Sequence, residues 1–214
     1  MIKNIFFDFD GVLAESVNVK TEAFKNLYLP FGEEIANKVV EHHLAHGGIS
    51  RFEKIKKYHQ DFLGIELSEN EVFHWAEKFS ELVLIGVIES PEVKGAEDFL
   101  KKNFENYQFW VITGTPTEEI KIILEKRNWN SYFKGAFGSP EKKNHWTEFL
   151  IEKYDINRKE TVFVGDATTD QEAAYYSKLH FILRRNEDNK HLFKNYKGFE
   201  LNDLTNLNEI LKSI

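Results

Sequence analysis

Two carboxylates separated by one residue, Asp8 and Asp10, close an apolar aromatic run, Ile5-Phe6-Phe7, and Gly11 follows them. Consecutive strand side chains point to opposite faces, so the two acids share a face if the strand continues past Asp8. Like charges this close resist joint ionisation unless a cation lies between them. Carboxylate oxygens are hard ligands, and together with a phosphate they suit Mg²⁺. Other groups have the chemistry to join the pair: the Thr113 hydroxyl beside Gly114, the ammonium of Lys142 or Lys143, and the carboxylates of Asp166 and Asp170.

The elements needed to bring them together are legible. Ile5 to Phe7, Gln108 to Ile112, a short segment near Gly135 to Gly138, Thr161 to Val164 and His180 to Leu183 read as buried strands, with helical periodicity between them. The spacing predicts helices over Ala96 to Asn103, Glu118 to Arg127, Ser139-Pro140 through Leu150, and Asp170 to Ser177. Thr115 reads as the N-cap of the second, with Pro116 at its first position and Glu118 completing a capping box. The tail from Gly198 reads as a short edge segment and a helix. Alternating strands and helices imply a Rossmann-like α/β fold, a parallel sheet with helices on both faces. Ligands of such sheets bind beyond the carboxyl ends of the strands, and Asp8, Asp10, Thr113, Gly114, Lys143, Asp166 and Asp170 all stand at or just after such ends.

Between the first strand and Pro91 the rhythm is helical throughout. Faces marked by Val17, Thr21, Phe24 and Tyr28, by Ile35, Val39 and Leu44, by Phe52, Ile55 and His59, and by Val72, Trp75 and Phe79 give four amphipathic helices. Ser50 with Glu53 and Ser68 with Glu71 are capping-box signatures opening the last two. Residues 16–88 are therefore expected to form a small all-α domain inserted into an α/β core made of residues 1–15 and 89–214.

Composition narrows the class. With 42% hydrophobic residues and 19 phenylalanines in 214 residues, the chain can bury a large core. A net charge of −7 argues against nucleic acid as the main partner. A small phosphorylated substrate stays open, since a metal and a few cations dominate a site locally. The absence of cysteine excludes disulfides, thiolate metal sites and a cysteine nucleophile. No signal peptide is read at the N-terminus, and the apolar run Leu82 to Ile88 is far short of the about 20 residues that span a bilayer. A cytoplasmic protein with no membrane partner, monomeric or homodimeric, is expected.

The run Asp8-Phe9-Asp10-Gly11-Val12-Leu13 resembles the first motif of the haloacid dehalogenase superfamily, in its phosphotransferase majority. Thr113 after Trp110-Val111-Ile112 resembles the second motif, Lys143 in Gly138-Ser139-Pro140-Glu141-Lys142-Lys143 the third, and Gly165-Asp166 through Asp170 the fourth. The inserted helices match that superfamily's helical cap, so the resemblance covers the whole chain. It implies a Mg²⁺-dependent phosphatase acting on a small phosphomonoester, sugar-like by analogy of the cap, through an aspartyl-phosphate. Asp8 would be the nucleophile and Asp10 the proton shuttle. Thr113 and the Gly114 amide would hold phosphoryl oxygens, and Lys143 would neutralise charge, with Lys142 its competitor. The metal would be held by Asp8, the Asp10 carbonyl and Asp166, with Asp170 ligating directly, through water, or bracing the site.

The segment Gly48-Ile49-Ser50-Arg51 resembles the cap segment of β-phosphoglucomutase-like members, where the arginine meets a distal phosphate. Arg51 and His46 are accordingly substrate-binding candidates, against the plainer reading of Arg51 as a solvated first-turn residue. The alternatives are a sugar phosphate mutase and a non-catalytic phosphometabolite-binding protein. Where such mutases carry a histidine early in the cap, this chain has Lys20. A phosphonatase-type chemistry would need a Schiff-base lysine, for which Lys20, Lys54 and Lys56 are available. Hinging is expected near Ala14-Glu15-Ser16 and Glu89-Ser90-Pro91.

Overall fold

A computed structural model describes residues 1–214. Six strands, β1 (Asn4–Phe7), β2 (Gln108–Pro116), β3 (Phe133–Ser139), β4 (Thr161–Gly165), β5 (His180–Arg184) and β6 (Phe199–Leu201), form one sheet in the order β3-β2-β1-β4-β5-β6. Every pairing is parallel. The register sets Phe6 beside Trp110 on one side and Phe163 on the other. All four residues of β1 are buried, as its unbroken apolar run requires of a central parallel strand.

The period of two divides the core between the faces. Ile5, Phe7, Val111 and Val164 pack with α5 (Ala96–Asn103), α6 (Thr117–Lys126) and α9 (Leu207–Ser213). Phe6, Trp110, Ile112 and Phe163 pack on the opposite face against α7 (Lys143–Tyr154) and α8 (Thr168–Tyr176).

Between β1 and α5 lie α1 (Val17–Tyr28), α2 (Glu33–Ala45), α3 (Arg51–Tyr58) and α4 (Glu69–Glu89). They meet over an aromatic cluster in which Phe24 lies 4.1 Å from Phe79 and 5.7 Å from Tyr58, ring centre to ring centre. This cluster is continuous with the core under α5 and α6 rather than separate from it. Ser68 makes a full capping box with Glu71, and Ser50 makes one half of its own by accepting from the Glu53 amide at 3.3 Å.

The chain crosses to these helices and back in a two-stranded strap. Ala14 bridges Glu92 in antiparallel fashion, the Glu15 amide donates to the Pro91 carbonyl, and the Val93 amide donates to the Leu13 carbonyl. Arg127 secures the return, donating to the carbonyls of Val87, Ile88 and Ser90 at the end of α4.

Two local expectations are corrected. Thr115 is not an N-cap, because β2 continues through Pro116 and α6 starts at Thr117. The next helix does not start at Ser139-Pro140. β3 runs to Ser139, Lys142 caps the helix in an extended conformation, and α7 begins at Lys143. No helix is long and apolar enough to cross a membrane.

Candidate active site

The carboxyl ends of β1, β2 and β4 face the inserted helices across a cavity of about 800 Å³, its open mouth included. Asp8, Asp10, Thr113, Gly114 and Asp166 line its sheet side. The starts of α7 and α8 complete this floor. Because α7 begins at Lys143, it is Lys143 and not Lys142 whose ammonium reaches Asp8, at 2.8 Å, and Asp170, at 2.5 Å. Lys142 is exposed and lies 4.0 Å from Glu53.

Asp8 also accepts a 2.7 Å bond from the Phe9 amide. Asp170 is fully buried, with one oxygen on Lys143 and the other accepting from the amides of Asp166 and Ala167 at 3.2 and 2.9 Å. Both its oxygens thus have partners within the protein. Burial alone would lower the Lys143 ammonium, but Asp170 and Asp8 outweigh it and raise it above the usual lysine range.

Asp166 is the contrasting group. Its carboxylate has one side-chain partner, the Asn186 amide at 3.1 Å. Burial, with the charges of Asp8 and Asp170, pushes its carboxyl well above the usual range. Gly11, at φ +76°, lets the turn after Asp10 pass directly against this carboxylate, where a Cβ would collide with it. One carboxylate oxygen each from Asp8, Asp166 and Asp170 lies within 4.8 Å of the others. Three hard anionic donors against one ammonium fit a divalent cation such as Mg²⁺.

Asp10 turns away from this cluster toward the helices. Ser16 donates to one oxygen at 2.6 Å; Thr115, at 3.1 Å, and the Lys20 ammonium hold the other. Lys20 also donates to Thr115 at 2.6 Å. Burial by itself would raise the Asp10 carboxyl, but Lys20, Ser16 and Thr115 outweigh it and hold it below the usual range. The Asp8 and Asp10 side chains therefore share a turn and not an environment. Thr113 is buried, accepting from the Thr115 amide at 3.3 Å.

The opposite side of the cavity, its roof, is built by α1, α2 and α3. Gly48, at φ +75°, sits so close to the floor that a Cβ there would meet Thr169 and come within 3.3 Å of the Lys143 ammonium. Arg51 is buried, not solvated, and its guanidinium forks onto Glu119 of α6 at 2.7 and 2.5 Å while also bonding Ser80. Arg51 lines the cavity with its guanidinium held by an internal carboxylate. His46 is placed differently. It is exposed, stacked on His42 at 4.0 Å, and lies outside this cavity. His43 and Lys54 line the cavity instead.

Lys20, Thr115, Asn186 and Glu119 are site residues that sequence reasoning passed over. The sequence marks Lys20 as a departure from the mutase pattern and Thr115 only as a helix cap. Asn186 had a usable signal, since it follows β5 as Asp166 follows β4.

A family model described as haloacid dehalogenase-like hydrolase matches residues 5–183. No curated protein matches the chain in sequence. Among solved structures, a Bacteroides vulgatus protein named for beta-phosphoglucomutase is similar, with a TM-score of 0.78 at 18% identity, over 99% of this chain and 89% of that one. A predicted phosphoglycolate phosphatase from Haemophilus somnus has a TM-score of 0.74 at 19% identity, over 98% and 97% of the two chains. A magnesium-bound hydrolase from Bacillus subtilis, in a structure reporting interdomain movement, has a TM-score of 0.71 at 14% identity, over 99% of each. At these identities the likeness is one of fold.

Proposed function

The chain belongs to the haloacid dehalogenase-like hydrolases, and from that premise we propose that it is a Mg²⁺-dependent phosphatase of small phosphomonoesters. The observation that carries this reading is the placement of Asp8. Its buried carboxylate is oriented by the Phe9 amide, lies 2.8 Å from the Lys143 ammonium and faces Asp166. A nucleophilic carboxylate needs such a setting, where cationic charge meets an incoming phosphoryl group.

In this reading an Asp8 oxygen attacks phosphorus, the bond to the leaving oxygen breaks, and Asp10 gives that oxygen a proton. Water then attacks the aspartyl-phosphate, Asp10 takes its proton, and the Asp8 carboxylate is released with inorganic phosphate. Thr113 and the Gly114 amide orient phosphoryl oxygens, while Asp170 braces Lys143 and the turn at Asp166. Asp8, the Asp10 carbonyl and Asp166 would hold Mg²⁺, which supplies charge neutralisation for the phosphoryl group. Residues 16–88 act as the cap, with residues 1–15 and 89–214 as the catalytic core, and the cap opens about the strap to admit substrate.

The test is release of phosphate from an aryl phosphate in the presence of Mg²⁺. Turnover should fall by about four orders of magnitude in Asp8→Asn and vanish on chelation. Undiminished turnover in either case rejects the mechanism. The fold likeness to the Bacteroides vulgatus protein supports a second reading, a sugar phosphate mutase, which would interconvert isomers faster than it frees phosphate.

A further inference from the structure

The segment after β5 forms one side wall of the cavity, which Asn186 and Asn189 both line. The two asparagines are clasped to each other. The Asn186 backbone amide donates to the Asn189 side-chain oxygen at 3.0 Å, and the Asn189 backbone amide donates to the Asn186 side-chain oxygen at 2.9 Å. Such local bonds give a turn the pairing that no regular element supplies. The two side-chain nitrogens then do different things. That of Asn189 donates to the backbone carbonyls of Asp166 and Arg184, both at 2.8 Å, and so ties the ends of β4 and β5 together. That of Asn186 donates to the Asp166 carboxylate at 3.1 Å.

The Asn186 carboxamide is locked in this sense. Its oxygen is engaged by the Asn189 N–H, so the NH₂ end is the one turned to Asp166. A Cβ at Gly11 would collide with the same carboxylate oxygen, Oδ2, from the other direction. Asp166 is therefore gripped at Oδ2, while Oδ1 has no side-chain partner. The donor is also neutral. Asp8 and Asp170 each meet the Lys143 ammonium, whereas Asp166 is held by an amide alone. It is oriented without giving up its charge.

We propose that Asn186 is a positioning residue for the divalent cation, fixing the Asp166 carboxylate in the orientation that completes the three-acid site. The inference rests on the metal of the phosphatase reading and adds what sets its affinity. A ligand already held by a hydrogen bond has little freedom left to lose when the ion arrives. Removing such a partner from a metal ligand typically costs about tenfold to a hundredfold in affinity.

The test titrates Mg²⁺ into the full chain by calorimetry, with no substrate present. Asn186→Leu keeps the size and shape of the side chain and removes the donor; its Kd should rise by about tenfold to a hundredfold. Asn189→Ala strips three hydrogen bonds from the wall and none from the carboxylate, so it should weaken Mg²⁺ by a smaller factor. An unaltered Kd in Asn186→Leu overturns the inference, as does equal weakening in the two variants. A change confined to the KM for an aryl phosphate, with Mg²⁺ affinity intact, also overturns it and makes Asn186 a substrate donor.

A second measurement uses the wild-type protein alone. The Asn186 carboxamide resonance in an amide spectrum should shift as Mg²⁺ saturates the site, because its acceptor becomes a metal ligand. A resonance that stays in place overturns the inference, and so does wild-type protein that takes up no Mg²⁺. Absence of phosphate release from every ester falls on the phosphatase reading instead, and both Mg²⁺ titrations still decide this one.

Discussion

The floor of the cavity and its roof treat buried charge in opposite ways. On the floor three carboxylates, Asp8, Asp166 and Asp170, surround one ammonium, Lys143, leaving two negative charges for a divalent cation. On the roof three cations meet two carboxylates, Asp10 and Glu119, leaving one positive charge at Lys54. The two lysines register the difference: carboxylates raise Lys143 above its usual range, while burial lowers Lys54 to about 7. The two surfaces thus face each other with uncompensated charge of opposite sign.

The comparison breaks most sharply at Lys143. Lys143→Met leaves the floor carboxylates unpaired, and we expect turnover on an aryl phosphate to fall about a thousandfold. Urea unfolding should show a loss of about 3 to 5 kcal/mol in the metal-free protein. On the roof, Glu119→Gln strips the compensation from Arg51 and should destabilise by about 3 kcal/mol. In a double-mutant cycle, Arg51→Met with Glu119→Leu should lose less than the sum of the single changes. Metal tests the floor directly. Mg²⁺ at about a hundredfold its Kd should stabilise the fold by about 2.7 kcal/mol, and Asp166→Asn should remove that gain in a thermal melt.

The smallest effect has the opposite sign. Removing the uncompensated cation with Lys54→Met should stabilise the protein at pH 7 by about 1 kcal/mol. The sign follows from proton counting. Between the folded value of about 7 and the unfolded lysine value the unfolded chain binds a proton that the folded chain does not, so wild-type stability gains with rising pH across that window. The ionisable groups facing Lys54 are Lys20 from α1 and His42 and His43 from α2. The variant's advantage in unfolding free energy should shrink as pH rises above 7 and reverse in sign before pH 10, and a constant difference would show that Lys54 is paired.

What was legible in the sequence was local. A buried strand ending in Asp8, or a turn carrying Gly165-Asp166, announces itself because the change from apolar to polar residues occurs within one element. The phase of a helix start is less visible: moving the start of α7 from Pro140 to Lys143 is what separates Lys143 from Lys142. His43 could have been preferred to His46, because it continues the inward face of Ala36 and Val39 on α2. Glu119 could not have been matched to Arg51. They are 68 residues apart, on helices that meet only when the roof docks on α6.

The strap of Leu13, Ala14 and Glu15 against Pro91, Glu92 and Val93 bears on the order of folding. β1 must pair with β2, whose first residue comes roughly a hundred positions later. If α1 to α4 and the strap form first, the loop left to close shrinks to roughly twenty residues, which lowers the closure entropy by about 1.4 kcal/mol. Strap residues would then show φ values near one in a kinetic analysis. The helices that cover the site would also serve as the clasp that brings the central strands of the sheet together.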